Sequence, residues 1–520
     1  MRRMPLVPYA DGIGKITQVQ FGGYMHRSGA QDGAIWDMHN MSSREYPVLA
    51  PRRPRWLWRR LDKPNGLYAH DGLFWVDGRD LFYRDKKVGE VEDGRKQFAS
   101  LGNYVVILPD LCYYNRDTGE FGELAATWSG AVTFSDGQYA GQAAKGCAMI
   151  SKAGAFPFSA GDAVRISGTA KNDKTIIVRE VSDDRMTLTF YENSVEIGDE
   201  AAVTVSRDVP ELRFICENDN RLWGCDVNTI YASKPGDPFN WNVFDGLSTD
   251  SFAVDVGSAG EFTACISYRG YPCFFKENQI YKVYGSKPSD FQAMKSASLG
   301  VDAGSDASPA AAGETLFYLS RVGITAYTGG MPQVMSEAFG DTRYSDAVGG
   351  SDGERYYVSM RSADGWSLFC YDTERNLWHK EDDTEAVAFA YDHGLWMLSA
   401  DGRLWLMGNA EEVPVDAVAE TQIESRVEFG DFVEGDPNKK GTAKLQIRAE
   451  LGAGATLAVK MMFDSDGEWR TVAVLKAETK KSYYLPIIPR RSDHFRIAFE
   501  GVGEWRVYSL TREHYAGSEL

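Results

Sequence analysis

Residues 355–380 read RYYVSMRSADGWSLFCYDTERNLWHK, and this stretch decides the fold. Tyr356, Tyr357 and Val358 form a short β-prone run, Ser362-Ala363-Asp364-Gly365 supplies a turn, and residues 366–371 form the return strand. Asp372 and a polar turn over 373–376 then lead to a third run carrying Leu377 and Trp378. Gly349 and Gly350 precede the whole. Three strands of an antiparallel meander result. A single copy fits any all-β fold equally well, so recurrence along the chain has to decide.

The order Gly-Gly, strand, turn, strand ending Tyr-Asp, polar turn, Trp resembles a kelch-type propeller blade. That resemblance implies Tyr371 and Trp378 packed between neighbouring sheets, with Gly349 and Gly350 in a tight passage near the axis. The plan recurs. Residues 67–91, LYAHDGLFWVDGRDLFYRDKKVGEV, place Asp-Gly turns at Asp71-Gly72 and Asp77-Gly78 between short apolar strands. Residues 98–124 repeat it around Tyr113 and Phe121, and further copies lie in 210–241, 262–284, 314–330 and 386–408. Unit starts near 66, 96, 210, 262, 314, 354 and 385 scatter around blade length once one interruption is set aside. The expectation is all-β: a six- or seven-bladed β-propeller over 64–123 and 210–411.

The interruption, 124–209, lacks the Tyr-Asp-to-Trp pattern and contains FPFSAGDAVRISG, KTIIVREVSD and RMTLTFYEN. Alternation in these runs predicts four or five short strands, an inserted small β-barrel of SH3-like or OB-like kind, serving as an interaction knob or a spacer. Residues 419–520 carry seven further alternating runs, the count and spacing of a C-terminal β-sandwich, with 511–520 as a short extended tail.

Composition bounds the function. Aromatic content of 12% and 52 glycines favour short strands and turns over helices. The formal charge of −18 argues against a surface that coats nucleic acid. Seven cysteines at irregular spacing without CxxC fit neither a disulfide framework nor a zinc site; Cys216 with Cys225, and Cys265 with Cys273, are expected to face each other across hairpins as buried thiols. The start MRRMPLVPYADGIG has no apolar signal region, and no run has the roughly 18 apolar residues of a membrane helix, so neither export by an ordinary signal nor a membrane span is expected.

The charge is uneven. Residues 1–63 hold eleven Lys or Arg against five Asp or Glu, which leaves −24 on the rest of the chain. This segment reads as a basic extended N-terminal arm. Pro51 and Pro54 keep the backbone extended, while Arg52, Arg53, Arg55, Arg59 and Arg60 alternate with Trp56 and Trp58. Docking to an acidic partner is the first reading of these seven residues, folding of the arm onto its own acidic body the second, and a phosphate backbone the third.

Catalytic patterns are missing: there is no HExxH, GxSxG, Walker loop or strand-bound GxGxxG. Two turns, SADGW at 362–366 and SDGEW at 465–469, bear a faint likeness to sialidase Asp-boxes but place Gly and Trp too early. His26, His39 and His70 are scattered, and Asp464, Asp466 and Glu468 alternate across a turn without the twelve-residue calcium-loop pattern. No enzymatic activity, cofactor or metal is expected.

Three segments are more specific together. Residues 41–52 (MSSREYPVLAPR), 266–292 (ISYRGYPCFFKENQIYKVYGSKPSDFQ) and 495–519 (FRIAFEGVGEWRVYSLTREHYAGSE) resemble segments of tailed-bacteriophage virion proteins, nearest the DNA-stabilisation or head-completion hub proteins. That resemblance implies a structural protein of the virion, made in the bacterial host cytoplasm. It implies a homo-oligomeric ring, a hexamer, at the head–tail junction or in the tail, close to packaged DNA. Its partners would be portal or adaptor ring proteins and tail proteins, and its work to close the DNA exit and seat the tail. The alternative is a carbohydrate- or receptor-binding propeller, and a glycoside hydrolase comes third.

Overall fold

The computed structural model describes residues 14–408, 412–435, 438–476, 479–488 and 490–516. The chain is all-β, of β-propeller type, and its contacts divide it into two compact units, Lys63–Asp306 and Met1–Asp62 with Ala307–Leu520.

The first unit holds four antiparallel four-stranded meanders, blade 1 (64–90), blade 2 (97–123), blade 3 (214–255) and blade 4 (264–297). Their hairpins close where the sequence supplies left-handed residues: Asp219 and Asn220 at φ 51° and 57°, and Arg269 and Gly270 at 50° and 75°. Positive φ at both central residues gives the turn whose twist matches the flanking strands. The first strands of consecutive blades lie side by side, Gln97–Leu101 against Phe214–Asn218 and Phe214–Asn218 against Ala264–Tyr268. Apolar layers fill the space between sheets: Phe74, Val76 and Leu81 meet Val105, Ile107 and Tyr114, and Trp223 and Ile230 meet Phe262 and Phe274.

The insertion between blades 2 and 3 is one seven-stranded sheet over 126–207, richer than the four or five strands expected. Its order is Lys174–Ile177, Ala163–Ser167, Gly198–Arg207, Ala126–Tyr139, Gln142–Ser151, Thr187–Thr189, Glu180–Val181. Bulges in the long strand Ala126–Tyr139 let the sheet curl around a core of Trp128, Phe134, Phe156, Phe158 and Phe190.

The second unit holds blade 5 (310–334), blade 6 (345–382) and blade 7 (386–406), again with neighbouring first strands. In blade 6 the first strand is Ser345–Ser351, so the meander read from the sequence gains a fourth strand containing the two glycines. A Cβ on Gly349 would lie 2.3 Å from the Ser308 carbonyl, and one on Gly350 2.3 Å from Phe389 Cβ. The tight passage expected there is present. Tyr371 and Trp378 are buried as expected; Trp378 donates its indole N–H to the Met335 carbonyl at 3.1 Å, and Tyr371 packs 5.4 Å from Phe317 of blade 5.

The C-terminal sandwich has two sheets. One contains Trp505–Ala516 and Lys440–Leu451, the other Glu424–Phe429, Phe495–Val502 and Thr456–Phe463. Between them lie Phe429, Leu445, Ile447, Val459, Phe499 and Trp505. The expectation of an extended tail over 511–520 is corrected: the strand runs on to Ala516, with Thr511 paired to Thr17 and Arg512 buried, while 517–520 lies outside the described residues.

The reading of 1–63 as an extended arm is also corrected over its described part. Gly14–Gln18 pairs with Trp505–Ala516 in one sandwich sheet, Ile35–His39 pairs with Glu424–Phe429 in the other, and Trp56–Arg60 pairs with Arg403–Leu406 to complete blade 7. Residues 1–13 lie outside the described residues. The physical reason is that the extended backbone favoured by Pro51 and Pro54 is also strand backbone, and the open edges of blade 7 and of both sandwich sheets offer it unpaired N–H and C=O groups.

Candidate functional site

The seven residues singled out in the basic segment divide sharply. Arg52 is buried; its Nε donates to Asn40 at 2.7 Å and its two terminal nitrogens bind both oxygens of Glu420 at 2.6 and 3.1 Å. Arg55, 2% exposed, reaches Glu381 and Asp382, each at 2.7 Å, and its backbone N–H donates to Glu420. Burial opposes the charge on Arg55, and the Asp382 and Glu381 carboxylates outweigh it and hold its pKa above the usual arginine value. On the other side of the pair, burial raises Asp382 while Arg55 and Arg52 pull it down to about 2. Arg52 and Arg55 therefore serve the chain's own carboxylates, which corrects their assignment to a partner surface.

The remaining five lie further out. Trp58 donates its indole N–H to Asp416 at 3.0 Å and packs 5.2 Å from Trp396; Arg59 binds the same Asp416 at 2.5 Å and stacks 4.4 Å over Trp58. Trp56 is half-buried at the junction with Val418–Ala419, while Arg53 and Arg60 are exposed. An acidic neighbour thus has Arg53 and Arg60 to meet.

A second feature was not singled out in the sequence, because its residues are far apart in the chain. A cleft of about 840 Å³ is lined by Trp36, His26, Arg27, Arg343, Asp341 and Asp364, among others. His26 packs 4.1 Å from Trp36 and donates through Nδ1 to the Trp36 carbonyl at 3.0 Å, the Arg496 guanidinium lies 5.3 Å from the Trp36 ring, and Arg27 is ion-paired with Glu337. The cleft combines an aromatic ring with flanking groups of both charges. The other two histidines stay apart: His39 lies in a sandwich strand, and His70 contacts the Gly102 carbonyl.

The carboxylates weighed for calcium separate. Asp466 binds Arg470 at 2.9 Å and Arg490 at 3.4 Å, and Glu468 binds Arg470. Asp464 instead joins Asp493 and His494, whose ligand-type atoms lie within 4.8 Å of one another and are partly exposed. The cysteines are free, and the expected facing pairs are corrected: Cys216 sits opposite Trp223 and Cys273 opposite Ile266 in their hairpins. Cys216 of blade 3 meets Cys265 of blade 4, and that contact together with burial raises the Cys216 thiol well above its usual value. The pairing is between sheets, where no local spacing records it.

Among the described residues no helix is long and apolar enough to cross a membrane. No protein-family model matches the sequence, and no curated protein matches it. Solved structures give loose likenesses. One is PorZ, a bacterial surface component of the type-IX secretion system of Porphyromonas gingivalis, at 10% identity and TM-score 0.27, covering 88% of this chain and 78% of that one. A second is Hsv2 of Kluyvelomyces marxianus, at 11% identity and TM-score 0.29, covering 54% and 88%. A third is an exo-beta-1,3-galactanase of Phanerochaete chrysosporium, at 9% identity and TM-score 0.22, covering 56% and 95%. At these scores they carry nothing over to this chain, whose fold and sites rest on its own sheets and side chains.

Proposed function

We propose that this chain is a structural, non-enzymatic protein of a tailed-phage virion, a hub on the head–tail axis that closes the DNA exit and seats the tail. The observation that carries the reading is the union of two of its phage-like segments. Residues 41–52 and the described part of the other segment, 495–516, form one seam: Leu49 and Val507 exchange backbone hydrogen bonds at 3.1 and 2.9 Å, and Arg506 is ion-paired with Glu45, 461 positions away. The same seam reaches blade 6 through Ser43, which donates to Asp372 at 2.9 Å, and through Arg44, which pairs with Asp352 at 3.1 Å. These two of the three resembling segments thus fasten blade 6 to the sandwich, as a rigid assembly part needs. The net charge of −18, with Arg52 and Arg55 turned inward, leaves a surface that repels DNA rather than gripping it. The partners are portal or adaptor rings and tail proteins, and the assembly is a homo-oligomeric ring, a hexamer. Mixing the purified chain with portal complex tests this: co-elution as an axial ring is expected, and free chain at every ratio would contradict it.

The cleft at Trp36 favours a second reading, carbohydrate or receptor binding. Its volume, about 840 Å³, lies within the usual range for ligand sites, and an aromatic ring flanked by polar groups suits a sugar. Glycan binding by the purified chain that Trp36→Ala abolishes would support it; no binding across a glycan array would remove it.

A further inference from the structure

Cys216 and Cys265 meet where blades 3 and 4 pack together. Cys216 lies on Phe214–Asn218 and Cys265 on Ala264–Tyr268, the neighbouring first strands of the two blades. Hydrogen bonds fix the register of these strands: Ser267 donates its hydroxyl to the Asn218 side chain at 2.8 Å, and the Asn218 amide donates in turn to the Gly270 carbonyl at 3.3 Å. Side chains two positions apart on a strand share a face. One such step back from Asn218 and from Ser267 arrives at Cys216 and Cys265, whose thiols are hydrogen-bonded to one another. Both belong to the apolar layer between the blades, Cys216 within it and the half-buried Cys265 packed against it.

Cys225 and Cys273 are placed differently. Cys225 stands opposite Phe214 and Cys216 opposite Trp223, so Cys216 and Cys225 are diagonal neighbours on one face of their sheet. Diagonal neighbours stand about 7 Å apart, beyond the roughly 4 Å between the Cβ atoms of a disulfide. Cys273 stands opposite Ile266, which puts it on the other face of its sheet from Cys265. Of these four thiols, only Cys216 and Cys265 are arranged to bond.

We propose that Cys216 and Cys265 are a redox pair, oxidised by hydrogen peroxide to a disulfide that staples blade 3 to blade 4. The inference stands on these two blades alone, independently of the virion reading. Cys265 reacts first. Burial raises its pKa, but the S–H that Cys216 donates to it favours its thiolate, whereas the same contact together with burial keeps Cys216 protonated. The Cys265 thiolate attacks one peroxide oxygen, the O–O bond breaks, hydroxide leaves, and a sulfenic acid remains. Cys216 Sγ then attacks the Cys265 sulfur; its proton and the sulfenic hydroxyl leave as water while the S–S bond forms. In total two thiols and one peroxide give one disulfide and two waters.

The test oxidises the full chain with hydrogen peroxide, blocks the remaining thiols with N-ethylmaleimide in denaturant, and maps the unreduced peptides by mass spectrometry. One link, Cys216 to Cys265, is expected, with the other five of the seven cysteines alkylated. The linked chain is expected to melt about 5 °C higher, and dithiothreitol to remove that gain. Cys216→Ser is expected to lose the link and leave Cys265 as a sulfenic acid that dimedone traps, while Cys225→Ser keeps the link. Seven alkylated cysteines after oxidation, a link through any other cysteine, Cys265 driven to sulfinic acid without a link, or no gain in melting temperature would each overturn it.

Discussion

At the residue scale, the packing of blade 6 makes two direct predictions. Gly350→Ala puts a methyl group 2.3 Å from Phe389 Cβ, so blade 6 or its neighbour has to shift. The cost is expected at about 1–3 kcal/mol, as for overpacked cores, and is read from the urea midpoint. Trp378→Ala removes a ring that is 5% exposed and packed on Phe339 and Tyr371, with an expected loss of about 3–5 kcal/mol in the same measurement. The buried ion pairs predict pH dependence. Asp382 sits at about 2 because Arg55 and Arg52 overcome its burial, below the ~3.9 of a free aspartate. Between those values the unfolded chain binds more protons than the folded one. The contribution of Asp382 is therefore complete above about pH 4 and is lost as the pH falls through about 2. Asp382→Asn leaves part of the Arg55 charge buried and uncompensated; a loss of about 3–5 kcal/mol at neutral pH is expected, with a flatter stability profile between pH 4 and 2 than the parent shows.

At the scale of elements, the blades were legible and their closure was not. Unit starts read near 66, 96, 210, 262, 314 and 385 fall within four residues of observed blade starts at 64, 97, 214, 264, 310 and 386, because turn residues and alternation act locally, while the unit read near 354 begins one strand earlier, at 345. The strand Trp56–Arg60 defeats that reading. Its partner, Arg403–Leu406, lies far along the chain, and nothing in RWLWRR distinguishes a strand edge from an arginine-rich arm. The same limit hid Cys265 as the neighbour of Cys216, Glu381 and Asp382 as the neighbours of Arg55, and the Trp36 cleft: each joins segments that only the fold brings together. One prediction belongs here. A chain lacking residues 1–62 loses the fourth strand of blade 7 and one strand of each sandwich sheet, exposing three edges. It is expected to aggregate under conditions where the full chain stays dispersed, as light scattering would report.

For the whole molecule, two compact units carry seven blades, a curled inserted sheet and a sandwich, and the acidic chain keeps its most buried arginines for internal pairing. Such a body suits assembly work: the blades hold their shape while the insertion and exposed loops are free to differ between partners. The most direct test of an axial hub is cryo-electron microscopy of virions produced from the genome that encodes this chain. A ring of these propellers on the head–tail axis, between portal and tail, is the expected result. Copies found singly on a fibre or on the capsid exterior, or absent from the virion altogether, would contradict it.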